Sequence, residues 1–159
     1  MHRRPLLVLA ATMALSLPFV APAQTGPQRE LPKEKLVIVT RDGQRHDFEV
    51  EIAATSEQQM TGLMFRPAVP ADGGMLFDWG RERETSMWMK NTIASLDMLF
   101  IKGDGTIAAI AENTVPQSLA PISGDGPVRA VLELAAGTAA RLNILVGDKV
   151  QQRIFGNVQ

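Results

Sequence analysis

The chain has 159 residues, 16 basic against 17 acidic side chains, 45% hydrophobic residues and no cysteine. Without thiols it can hold no disulfide framework, thiolate nucleophile, lipid-bearing cysteine or thiolate metal site. A charge balance this even, with no basic run, argues against nucleic acid as a partner.

Arg3 and Arg4 form a short positive start, and Leu6 to Val20 is an apolar run broken only by Thr12, Ser16 and Pro18. Ala21-Pro22-Ala23 then supplies small residues where a signal peptidase reads them. This is the layout of a secretory signal peptide over residues 1–23, which implies a periplasmic or secreted protein. The run is shorter than the ~20 apolar residues a spanning helix needs, and its prolines weaken a continuous helix. No later segment is apolar enough to span, so no membrane span is expected after cleavage. The remaining 136 residues carry 14 basic and 17 acidic groups, a net charge of −3. That length suits one domain, which buries roughly two thirds of the surface of its unfolded chain.

Residues 24–35 are mostly polar and carry two prolines, and they read as a flexible leader. Leu36 to Thr40, the turn signal Asp42-Gly43 and the alternating "HDFEVEIA" predict a β-hairpin. In "TSEQQMTGLMFRP", Thr55 and Gln58 form a capping box, and Met60, Leu63 and Met64 share one helical stripe. Pro67 is expected to end this helix, and Gly62 inside it costs ~1 kcal/mol unless a neighbour packs closely over it. From Gly74 the segments "GMLFDW", "SMWMK", "LDMLFI", "TIAAIAE" and "VRAVLELA" read as strands. A long loop over 113–127 follows the fourth of these. "GTAARLNI" is a short helix with Thr138 as its expected cap, before a last turn and strand. The prediction is a single mainly β domain over 36–157. Its expected form is an antiparallel sandwich or partly closed barrel, with one short helix after the first hairpin and a second near the C-terminus.

Absences prune the chemistry. Once the signal is removed, His46 is the one histidine left, and it is read as facing solvent. A three-histidine zinc site is therefore impossible within one chain. No phosphate-cradling glycine loop or calcium loop is present, and no cofactor is expected. Methionine is the excess: Met60, Met64, Met75, Met87, Met89 and Met98 all lie within 39 residues. Thioethers suit Cu(I), and Met87 and Met89 would share one face of a strand, whereas methionine as adaptable core filler is the plainer reading. Among the charges, Asp97 interrupts "LDMLF" with Lys90 as its nearest sequence partner, and Glu133 interrupts an apolar strand. Buried, each would need pairing, or would have a tunable pKa. Arg66 at the helix end suits the helix dipole.

The segments "GLMFRP", "GGMLFDW", "MWMKNT", "SLDMLFI", "DGTI", "VLELAAG" and "GD", in that order, resemble an uncharacterised bacterial and archaeal family, domain-of-unknown-function family 192. The resemblance covers roughly residues 36–156. It implies a compact β-rich domain, often exported, and brings no reaction with it. Where the family pattern has phenylalanine before the tryptophan, this chain has Met87. Where it has isoleucine-proline before the leucine-aspartate pair, this chain has Ala94-Ser95. Arg66, Lys90, Asn91, Thr92, Asp97 and Glu133 match position by position, and so many specific polar groups favour a shared pocket.

The expectation is an exported, monomeric binding or accessory domain. Its ligand-binding residues would be Lys90, Asn91, Thr92, Asp97, Arg66, Glu133 and Trp88. They would take a small polar or anionic ligand, or a segment of another exported protein. One alternative is a Cu(I) carrier using Met87, Met89 and one more thioether. The other is a hydrolase or lyase using Lys90 and Asp97 as base and acid.

Overall fold

The computed structural model describes residues 25–158; the expected signal peptide lies outside the described residues. Seven strands form one curled sheet. They are β1 (Lys33–Val39), β2 (Arg45–Ala53), β3 (Gly73–Arg83), β5 (Leu96–Ile101), β6 (Ile107–Ala111), β8 (Val128–Ala135) and β9 (Lys149–Gln151), in the spatial order β6-β5-β8-β3-β2-β1-β9. Two further strands, β4 (Ser86–Met87) and β7 (Ile122–Ser123), pair as a separate two-stranded sheet. Helix α1 (Ser56–Thr61) follows the first hairpin and α2 (Thr138–Arg141) follows β8. Among the described residues, no helix is long and apolar enough to cross a membrane.

The sheet curls until its edges meet. Thr106 bridges Lys149, the Val150 N–H donates to the Gly105 carbonyl at 2.8 Å, and the Gly147 N–H donates to that of Ile107 at 2.8 Å. Leu36, Val50, Leu76, Leu99, Ile107, Leu132 and Val150, drawn from both edges and the centre, therefore fall into one buried cluster inside the curl. The opposite face carries a second cluster, including Met75, Phe77, Met89, Met98, Phe100 and Val131. A partly closed barrel describes this arrangement better than a sandwich. One pairing departs from the antiparallel expectation: β2 and β3 run parallel, joined by a crossover through α1.

The first hairpin forms as the Asp-Gly turn predicts, with Gly43 at φ 85°. Its first strand begins at Lys33 rather than Leu36. The leader preceding it is anchored: the Gln28 amide donates to the carbonyls of Gln58 and Gly62, and the Leu31 N–H donates to Glu51. The capping box between Thr55 and Gln58 is present, but α1 stops at Thr61, well before Pro67. Gly62 ends it at φ 49°, and a Cβ there would sit 2.9 Å from the Phe77 ring. Conformation and close packing both demand glycine at this position. The expected stripe consequently splits: Leu63 and Met64 are buried beyond the helix, while Met60 is 72% exposed.

Three smaller expectations also change. α2 is capped by Gly137 at φ 79°, with no bond from the Thr138 side chain. The "SMWMK" strand contracts to two residues, although burial still alternates through Met87, Trp88, Met89 and Lys90. His46 shares its strand face with Phe48 and Val50, so it is half-buried rather than solvent-facing, and its Nε2 is buried.

Candidate functional site

Position in the pleat decides which of the expected site residues can meet. Successive side chains of a strand point to opposite faces. On β5, Leu96, Met98 and Phe100 face the second cluster, whereas Leu99 and Ile101 face the inside of the curl. Asp97 therefore points inward with Leu99. It is fully buried and accepts from the N–H groups of Asn113 and Ala139, both at 2.9 Å. The second of these opens α2, so Asp97 caps that helix from another strand. Lys90 and Asp97 form no ion pair. The Lys90 ammonium instead lies 5.1 Å from the centre of the Trp88 ring. The acid–base pair required by a hydrolase or lyase reading is not assembled.

Asn91 and Thr92 belong to a tight turn. The Thr92 N–H donates to the Met89 carbonyl at 3.0 Å, and Asn91 sits at φ 54°. A turn of this kind needs a left-handed third residue, which asparagine tolerates. The Asn91 carbonyl also accepts from the Phe65 N–H at 2.8 Å, tying the turn to the segment after α1. The loop after β6 straps the other side, with the Met89 N–H donating to Ser118 and the Gln117 N–H to Thr92. Backbone geometry thus accounts for Asn91.

Arg66 lies elsewhere. Its guanidinium grips Glu51 through both nitrogens, with Nη2 to Oε2 at 2.9 Å, and both side chains are largely buried. The pair borders a depression of about 500 Å³ with Pro27, Gln28, Val69 and Pro70 on its walls. Lys33 and Glu30 pair at its border as well, at 3.3 Å. Removing one partner of a buried pair leaves the other uncompensated. Arg66→Leu should therefore lower unfolding free energy by about 3 kcal/mol. Glu51→Leu with Arg66→Leu should recover most of that in urea denaturation, and a double variant as weak as the single would contradict the assignment.

Glu133, unlike the buried Glu51, has no such partner. Register places Glu51, Met75, Glu133 and Met98 in one row across β2, β3, β8 and β5, on the outward face. Glu133 is 4% exposed, and among the described residues its carboxyl has no hydrogen bond or ion pair. Burial between two methionines pushes its pKa up to about 8, because desolvation disfavours the charged form. At neutral pH it is chiefly a neutral O–H donor.

Glu133 borders a cleft of about 280 Å³, near the lower limit of ligand-sized cavities of roughly 300–1,000 Å³. α1 and the residues after it contribute Gln59, Met60, Thr61, Leu63 and Met64 to its walls. β3 contributes Phe77, Trp79 and Arg83, and the segment around β4 contributes Met87, Trp88 and Thr92. The Arg83 guanidinium stacks 4.3 Å above the Trp79 ring. Trp79 Nε1 is buried without a hydrogen-bond partner among the described residues. Trp88 is 50% exposed at the rim and also borders a second shallow depression with Leu119 and Pro121.

Of the seven expected ligand-binding residues, Trp88, Thr92 and Glu133 share this cleft and Lys90 stacks on Trp88 beside it. Asn91 shapes the turn, Asp97 faces the opposite side of the sheet, and Arg66 serves the neighbouring depression. Met89 also moves out of its expected role. It is fully buried, and its sulfur accepts from the Thr114 hydroxyl at 3.3 Å. Met87 does border the cleft, together with Met60 and Met64. The residues missed from sequence are Trp79, Arg83, Met60 and Met64. Nothing local in the sequence brings β3 and α1 to one wall, since the parallel crossover does so.

A solved structure from Sinorhizobium meliloti 1021, of a protein provisionally called a transcription regulator, is 46% identical to this chain with a TM-score of 0.77. The match covers 80% of this chain and 98% of that one. A protein of unknown function from Novosphingobium aromaticivorans DSM 12444 is 37% identical with a TM-score of 0.74, covering 87% of this chain and 94% of its own. No curated protein matches. The model of the uncharacterised ACR family, domain-of-unknown-function family 192, matches residues 37–152, and the chain belongs to that family.

Proposed function

We propose that the protein is an exported binding or accessory domain whose cleft between α1, β3 and the β4 segment takes a small ligand or a partner's side chain. The observation that carries this reading is the unpaired Glu133 carboxyl, buried at a cleft walled by two indole rings. A buried polar group normally has a hydrogen-bond or ionic partner, so one supplied from outside is the natural complement, a cation replacing the carboxyl proton. Ligand chemistry follows from the walls. The cationic residues expected to hold an anion do not converge, whereas Glu133, Trp79 and Trp88 offer a carboxyl and two π faces. That set favours a compact ligand with a positive centre, which aromatic rings attract at distances within ≈ 6 Å. The Sinorhizobium protein's name would point instead to nucleic acid, and this chain's net acidic balance gives that reading little support. Export rests on the N-terminal sequence, and cell fractionation tests it independently.

Tetramethylammonium and short alkylamines are suitable probes. Both indole N–H resonances, Trp79 and Trp88, should move saturably on titration, and Glu133→Gln should weaken that binding at least tenfold. Titrations that leave both indoles unmoved, or that bind equally well to Glu133→Gln, would overturn the reading.

A further inference from the structure

The cleft walls contain more sulfur than a simple ammonium site needs. Met60, Met64 and Met87 come from three places in the chain, namely α1, the segment after it and β4, yet all three border the same 280 Å³ cleft as Glu133. Met75, Met89 and Met98 are fully buried core, while Met64 is largely buried with its sulfur accepting from the Asn91 amide at 3.9 Å. Met60 is unusual in being 72% exposed beside a buried acidic floor. A methionine placed only to fill the core would be covered.

Two independent features, the thioether trio and the unpartnered carboxyl, point to one class of cation. We propose that the cleft is a site for a soft monovalent metal ion, Cu(I), with Met60, Met64 and Met87 as thioether ligands and the Glu133 carboxyl, which releases its proton to solvent as the cation enters, as the balancing charge. The proposal rests on the reading of the cleft as a cation site, and it names the cation. Thioethers are soft ligands that select Cu(I), and they are neutral donors that survive in oxidising surroundings where a thiol would not. A hard divalent ion would need oxygen ligands, and no group of three His, Asp or Glu side chains able to hold a metal is found among the described residues. The indoles bordering the cleft would report the metal through their fluorescence.

Ag(I) is an air-stable stand-in, and Cu(I) can be delivered from a competing chelator under anaerobic conditions. With the protein labelled at the methionine methyl carbons, one equivalent of Ag(I) should shift the Met60, Met64 and Met87 methyls together. Those of Met75, Met89 and Met98 should stay in place. Met60→Leu alone, at an exposed position, should weaken Ag(I) and Cu(I) binding at least tenfold. Met60→Leu, Met64→Leu and Met87→Leu together should weaken it at least a hundredfold, without loss of the folded spectrum. A shift confined to the Met60 methyl, or unchanged affinity in the triple variant, overturns the metal assignment. If tetramethylammonium binds at the indoles while neither metal ion does, the cleft reading stands and the metal proposal falls. If neither kind of cation binds, both fall.

Discussion

Replacing Glu133 by glutamine should make the protein more stable at pH 8–9 and leave it little changed at pH 5. The sign follows from the proton balance. In the unfolded chain the carboxyl titrates near its ordinary value of 4.5, and in the folded chain near 8. Below 4.5 both states hold the proton and no penalty exists. Between 4.5 and 8 the folded state holds a proton that the unfolded state has lost, so stability falls as pH rises. The penalty is fully developed above 8. Converted at 1.36 kcal/mol per unit, it reaches roughly 5 kcal/mol as an upper limit, or about 10 °C or more in Tm. Glutamine keeps the shape and removes the titration. Thermal unfolding at pH 5, 6.5, 8 and 9 should give a falling curve for the parent that is flatter for the variant. Parallel curves would show that Glu133 is already compensated in the folded protein.

The second large effect is expected at Asp97. Its two carboxylate oxygens satisfy the N–H groups of Asn113 and Ala139, which otherwise lie beside a core strand without acceptors. Asp97→Ala leaves the buried Ala139 N–H without an acceptor, which costs about 1–3 kcal/mol, and removes the acceptor of the exposed Asn113. A loss of about 2–4 kcal/mol is expected in all. α2 has four residues and no side-chain cap of its own, so it should fray first. Asp97→Asn keeps one acceptor oxygen and should fall between the two. Urea denaturation gives the magnitudes, and amide exchange at Ala139 and Asn113 locates them. An Asp97→Ala protein as stable as the parent would remove this capping role.

These residues show where sequence stops being informative. The Asp42-Gly43 hairpin and the Thr55–Gln58 capping box are local, and both are legible from a few neighbours. So is the inward face of β5, since Asp97 alternates with Met98 and must therefore point away from anything on the Met98 side. What Asp97 meets there is 16 and 42 residues away, and no spacing rule reaches that far. The cleft was half legible. Trp88, Thr92 and Glu133 were identifiable as unusual, but the parallel β2–β3 pairing decides that Met60 and Trp79 join them. Of Lys90, Asn91 and Thr92 only Thr92 borders the cleft, because a turn with a left-handed residue needs the same residue types as a binding site does.

The closure of the curled sheet also constrains the order in which the domain can be built. β1, the first strand, has two neighbours, and one of them is β9, the last, through Val37 to Gln151 and Val39 to Lys149. During synthesis β1 can pair with β2 at once, yet its other edge has no partner until the final strand emerges. Until then Ile38 and its neighbours present an open, apolar edge of the kind that recruits foreign strands. The finished domain is thus assembled around its two ends, and a truncation before Lys149 should give a chain that aggregates instead of a smaller stable one.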